Sequence, residues 1–230
     1  MEKIKEEVPE KLRIAVLLSF ISGYINAFTY NNAGELFAGA QTGNVIFMAL
    51  HFAKGNLEKA VEFLIPIISF MIGQVFIYCF RNFFQRRGHK GYIHSSLIMI
   101  ALIIFLPFFD YHFIVVTLAF FAAIQSDTFQ RLRGFSYATI MMTGNVKNAP
   151  RLLIEGLVQR DRELLVRGFL LFLIIFSFMV GVGISTYFTQ FVKKSALVPL
   201  VVPLSYINYV LFKEEHNVID VIKSKIRKFK

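Results

Sequence analysis

Residues 169–182 read Phe-Leu-Leu-Phe-Leu-Ile-Ile-Phe-Ser-Phe-Met-Val-Gly-Val, a block without one charged side chain. Residues 197–212 form a second such block. A helix needs roughly 17–25 mostly apolar residues to cross the hydrocarbon of a bilayer. The rest of the chain is built the same way. Of its 230 residues 56% are apolar and 17% charged, against about 45–50% and about 25% in soluble domains.

Eight hydrophobic or semi-hydrophobic segments follow one another: Leu12–Tyr30, Leu36–Ala53, Val61–Phe84, Tyr92–Phe109, His112–Phe129, Phe135–Ile154, Leu164–Phe191 and Leu197–Phe212. Helices satisfy their own backbone in lipid, whereas a closed barrel needs alternating strands, and this sequence lacks them. The expected fold is all-α: a polytopic transmembrane helix bundle of about six to eight membrane segments. It fills residues 1–230 as one integral membrane domain, with a basic tail at 213–230.

The formal net charge is +10, and its positive residues sit between apolar blocks and in the tail. That distribution fits the cytoplasmic surface of a membrane better than nucleic acid, which is not expected as a partner. The first apolar run reads as a retained span because no small-x-small cleavage site follows it. The lone Cys79 reads as a small packing residue, and the five histidines show no metal-ligand spacing.

The segments repeat. Thr42-Gly43-Asn44-Val45 recurs as Thr143-Gly144-Asn145-Val146, a shift of 101 that also pairs Asn26 with Asp127. Ser69-Phe70-Met71-Ile72-Gly73 recurs as Ser177-Phe178-Met179-Val180-Gly181, shifted by 108. Two ordered matches indicate a duplicated unit, with halves at about 10–110 and 111–212. If all eight segments cross, the halves are parallel, with 17 Lys and Arg inside against 8 outside. If the two Thr-Gly-Asn segments enter and leave on one side, the halves are inverted and the count becomes 21 against 4. Excess positive charge inside favours the inverted arrangement. The length of Leu36–Ala53 argues against it, since 18 helical residues reach about 27 Å.

The polar residues inside these blocks are the candidate site. Thr42, Gly43, Asn44, Thr143, Gly144 and Asn145 are candidate substrate-binding residues, with Asn26, Gln41, Gln125 and Asp127 nearby. A hydroxyl or amide at membrane depth must find a partner, and interrupted helices at a repeat interface are where transporters hold substrate. The competing reading makes Thr-Gly-Asn a helix-packing element. Ser19, Gly23 and Ala27 form a small-xxx-small face for tight packing. Asp127 reads either as an intramembrane functional acid or as an ion pair with Arg131, four residues on. Glu35 reads as a cap for the second segment.

Ser22-Gly23-Tyr24-Ile25-Asn26-Ala27 with Ala40-Gln41-Thr42-Gly43-Asn44 resembles the YoaK-like family of bacterial multi-pass membrane proteins of unknown function. Ala123-Ile124-Gln125-Ser126 and Met142-Thr143-Gly144-Asn145 carry the resemblance into the second half. It differs at Asn26, where the family often has an acid, and at Gln41, where Met is usual. The resemblance implies a plasma-membrane location and no established substrate; the distribution of Lys and Arg makes both termini cytoplasmic as an expectation.

The leading functional expectation is a small-solute transporter or channel with a polar site at the repeat interface. On that reading Asn44→Ala and Asn145→Ala reduce flux and leave expression intact. The alternative is a non-transporting membrane protein that binds a partner or lipid. Its partners are then the bilayer and, for a transporter, an unknown small solute, and assembly into an oligomer stays open. No enzyme motif, metal site or cofactor fingerprint is present in the sequence, so neither catalysis nor a cofactor is expected.

Overall fold

A computed structural model describes residues 10–86 and 91–213, so most of the basic tail, with His89 and His216, lies outside the described residues. Helix α1 covers Leu12–Asn32, α2 Gln41–Ala53, α3 Leu57–Arg86, α4 Gly91–Phe105, α5 Tyr111–Thr128, α6 Met142–Gln159 and α7 Arg162–Val192. A last helix, α8, spans residues 201–213. A two-residue hairpin pairs β1 (Arg131–Leu132) with β2 (Phe135–Ser136). Its turn residues Arg133 and Gly134 both have positive φ, the conformation that matches the twist of the flanking strands. The fold is all-α.

Three helical stretches are long and apolar enough to cross a membrane: Leu12–Asn32, Leu57–Phe83 and Arg162–Lys213. The last joins α7 to α8 through a 3-10 segment, Lys193–Leu200, that contains Pro199. Helix α1 is mostly buried, whereas α3 and α7 turn large apolar side chains outward, including Met71, Val75, Tyr78, Phe169, Phe176 and Met179. A soluble monomer rarely exposes so continuous an apolar surface. Cys79 lies on this exposed surface and does not fill the core.

Boundaries follow from local chemistry. Asp110 caps α5 by accepting a hydrogen bond from the Phe113 N–H, which holds its carboxyl below the usual range, as do the neighbouring backbone and His112. Asn56 caps α3 and Asp161 caps α7 in the same way. Glu35 does not cap α2. Gly34 and Glu35 both have positive φ, and the Glu35 N–H bonds back to the Tyr30 carbonyl, so this pair terminates α1. Helix α2 starts six residues later, and residues 36–40 between them are not helical.

Two long contacts between helices that are not neighbours in sequence organise the bundle: α1 lies along α7, and α3 lies along α5. The Ser177 hydroxyl on α7 donates to the Val16 carbonyl on α1 over 2.7 Å. The Ser69 hydroxyl on α3 donates to the Val116 carbonyl on α5 over 2.6 Å. One turn further, Gly181 faces the backbone of Phe20 and Tyr24, and Gly73 faces Ala123 and the backbone of Phe120. From the α1 side, Gly23 faces the Phe178 carbonyl.

The ends of the elements gather at two poles. Asn32, Gly34, Lys59, Asp110 and Lys194 line one recess of about 460 Å³. The end of α1 and the start of α3 therefore lie together, and the stretch between them leaves and returns at one pole. At the other pole Glu10 accepts hydrogen bonds from the backbone of Arg133 and Gly134. There Arg167, near the start of α7, lies over the Phe135 ring at 5.5 Å. The stretch from α5 to α7 leaves and returns at this second pole.

Candidate functional site

Residues 36–40 run through the interior without a strand partner, although Leu36, Ala38 and Gly39 are buried. Buried N–H groups need acceptors, and here side chains supply them. The Phe37 N–H donates to Asn44 Oδ1 (2.9 Å), and the Ala38 N–H to Thr29 Oγ1 (3.0 Å). Asn26 Oδ1 accepts from both Gly39 and Ala40 (2.9 and 3.0 Å). Asn26 is fixed in turn by its own Nδ2, which donates to the Ser22 carbonyl at 2.8 Å.

Asn44 closes the arrangement from the other side. Its Nδ2 donates to the Phe37 carbonyl at 2.8 Å and to Gln41 Oε1 at 2.9 Å. The amide thus grips both backbone groups of one residue seven positions back. Asn145 does the same to Ala138: Oδ1 accepts from its N–H at 3.1 Å, and Nδ2 donates to its carbonyl at 2.6 Å. Met142, in the place of Gln41, presents its sulfur to Nδ2 at 3.6 Å.

The two non-helical segments meet where Gly39 lies against Ile140 and Ala122. A side chain on Gly39 would collide with Ile140, so glycine is required by this approach. Next to it, Gln125 Nε2 donates to the Leu18 carbonyl (3.0 Å) and to Ser22 Oγ (2.7 Å). Gln125 Oε1 and the hydroxyls of Ser19 and Thr139 are buried without a hydrogen-bond partner. Such groups are costly unless something bonds them. The site offers neutral donors and acceptors, and no group of three or more His, Cys, Asp or Glu among the described residues could hold a metal ion.

The sequence-derived residues divide accordingly. Asn26, Gln41, Asn44 and Asn145 do bond the interior segments, whereas Gln125 bonds α1. Thr42 and Thr143 are exposed, and Gly144 has open space around it. A side chain at Gly43 would meet the Phe37 ring. Thr29 and Thr139 belong to the site, and sequence reasoning overlooked them, since a lone Thr in an apolar run carries no motif.

Residues 14–210 match the family described as "Protein of unknown function (DUF1275)". The chain belongs to the DUF1275 family. The match is consistent with the YoaK-like resemblance of its motifs. Comparison with the curated proteins and with the solved structures returned no match.

In this DUF1275 protein Asp127 is held differently from Asn26. Asp127, at the position that pairs with Asn26, turns to Arg81 on α3. Arg81 Nη1 donates to Asp127 Oδ2 at 2.6 Å and to its carbonyl at 2.9 Å. The expected partner Arg131 lies beyond the end of α5, on β1, so the helical four-residue spacing is lost. A neutral pair extends the contact, with Gln74 Nε2 donating to Ser126 Oγ at 2.8 Å. Together Arg81, Asp127, Gln130 and Arg131 border a polar recess of about 300 Å³ at the second pole.

Proposed function

We propose that the chain is a small-solute transporter or channel of the bacterial plasma membrane, built from two copies of one unit in opposite orientations. The observation that carries this reading is the meeting of two interrupted segments at Gly39 and Ile140, positions that differ by the repeat shift of 101. On this reading α1, α3, α4, α5, α7 and α8 cross, and the stretches 33–56 and 129–161 re-enter from opposite faces. The pole near Glu10 is then cytoplasmic.

Matched contacts support the duplication. Asn44 grips residue 37 and Asn145 grips residue 138. Ser69 and Ser177 bond neighbouring helices alike, and Gly73 and Gly181 follow them at the same spacing. Interrupted helices that meet at the interface of inverted repeats form the solute sites of many secondary transporters. The unpartnered Gln125 Oε1, Ser19 and Thr139 groups beside the crossing suit an uncharged, hydrogen-bonding solute.

The test is stopped-flow light scattering on proteoliposomes challenged with glycerol, urea and small sugars, with and without an imposed proton gradient. At least one solute is expected to enter faster than in protein-free vesicles. Gln125→Leu, in protein that still folds, is expected to lower that rate at least tenfold. Entry no faster than in empty vesicles, or an unchanged rate in the variant, removes the proposal.

The rival reading is a non-transporting membrane protein that binds a partner or lipid. The bonding of Asn44 and Asn145 favours it, because both amides serve their own loops. The transport reading accommodates the same fact by treating the asparagines as scaffold and placing the path at Asn26, Gln125 and Thr139.

A further inference from the structure

At the pole near Glu10, the middle of α6, the first turns of α7 and strand β2 border a recess of about 200 Å³. Its polar lining is Ser136, Asn148, Arg151 and Arg167, and no acidic residue lines it. Leu152 and Leu171 supply its apolar wall. We propose that this recess binds a phosphate-group anion, presented as the headgroup of an anionic phospholipid such as phosphatidylglycerol.

Two guanidinium groups border the recess, and each keeps donors for a ligand. Arg151 uses Nε on Glu155 at 2.8 Å. Arg167 uses Nη2 on Glu163 and lies over the Phe135 ring. Each acid thus binds its arginine through a single nitrogen, which orients the guanidinium and leaves its other N–H groups without a bond. A planar guanidinium matches phosphate oxygens in pairs, and Asn148 and Ser136 add neutral hydrogen-bonding groups. On α7, Leu171 follows Arg167 by one turn, so a headgroup held at Arg167 has an apolar wall for the start of its acyl chains.

Among the described residues, the recess at the opposite pole is mixed in charge. The residue related to Arg167 by the shift of 108 is Lys59, and its recess is also lined by Glu62 and Asp110. An arginine-lined recess at the Glu10 pole fits the leaflet rich in anionic lipid, where basic pockets between transmembrane helices bind such headgroups. This inference rests on the membrane reading and on the assignment of that pole to the cytoplasm, but not on transport.

The experiment is thermal melting of the purified full chain in a neutral detergent. Short-chain phosphatidylglycerol, short-chain phosphatidylcholine and inorganic phosphate are titrated separately. Ligand that binds only folded protein raises Tm. Phosphatidylglycerol is expected to raise Tm at concentrations at least tenfold below phosphatidylcholine. The paired substitution of R151Q and R167Q is expected to lose that shift, and K147Q outside the recess to keep it. If the paired variant does not fold, R151Q alone serves, since the Arg151 side chain is 63% exposed. Native mass spectrometry then counts the phosphatidylglycerol retained. An Arg-dependent shift given equally by inorganic phosphate overturns the lipid source. A shift that is equal for the two lipids, or equal in wild type and variants, overturns the site. Because the measurement is made in detergent, a wrong assignment of sidedness leaves its outcome unaffected.

Discussion

Gly23→Leu and Gly181→Leu are each expected to abolish the folded protein, whereas Gly183→Leu on the same helix as Gly181 leaves it intact. A Cβ at Gly23 would overlap the Phe178 carbonyl, and one at Gly181 would overlap that of Phe20. These neighbours are backbone atoms of packed helices, so no rotamer change relieves the overlap. Overpacking against movable side chains costs about 1–3 kcal/mol. Against a helix backbone the loss exceeds about 3 kcal/mol, because α1 and α7 must separate along their length, out of a total stability of about 5–15 kcal/mol. Ser177 would then lose Val16 as its acceptor as well. Gly183 has nothing within 4 Å of such a Cβ. Fluorescence-detected size exclusion after detergent extraction reads the result: no monodisperse peak for the first two variants and a wild-type peak for the third. Three equal peaks would show that α1 and α7 do not approach in this way.

Asn44→Ala and Asn145→Ala carry the second large effect. Each removes an amide that satisfies both the N–H and the carbonyl of a half-buried residue, Phe37 or Ala138. Leaving a fully buried backbone group unpaired costs about 1–3 kcal/mol, and these half-buried groups sit at the low end of that range. The expected outcome is a Tm several degrees lower for each single variant. Because Gly39 and Ile140 touch, the two loops are coupled, and the double variant departs from additivity. Asn44→Asp does not rescue, since a carboxylate keeps the acceptor but loses the donor and buries a charge. Thr42→Ala and Thr143→Ala, both at exposed positions, change stability by less than about 0.5 kcal/mol. The melts therefore separate the members of one motif. Flux that falls with stability unchanged would return the asparagines to the solute path, which is what the motif alone implied.

Much of the architecture is legible in the apolar blocks. Each of the eight overlaps a helix, and the short apolar run before Lys147 is what favours re-entry of that segment in the proposed arrangement. The non-helical segments were not legible. Leu36, Phe37 and Ala38 look like the start of a helix, because an apolar triplet reads alike in a helix and in an extended chain. Gly34 and Gly39, which bracket it, were the available signal. Asp127 shows a different limit. Its pairing with Arg131 assumed that α5 continues, but the helix ends at Thr128, and Arg81 lies 46 residues away. No local spacing encodes that contact. The Ser-x-x-x-Gly element, read in the sequence as a marker of repetition, also has a physical role. Its serine bonds the neighbouring carbonyl, and its glycine lets the helices close.

The transport reading stands on re-entry of the two Thr-Gly-Asn segments from opposite faces. Single cysteines at Lys54 and at Gln130, in a Cys79→Ala background, test it in intact cells with a membrane-impermeant maleimide. Both positions are exposed, one beyond the end of α2 and the other just after α5. With re-entry, the cysteine at Lys54 labels from outside, while the one at Gln130 labels only after permeabilisation. Labelling at Gln130 from outside, with Lys54 protected, would mean that all eight segments cross and that the halves run parallel, and the proposed inverted arrangement would be wrong.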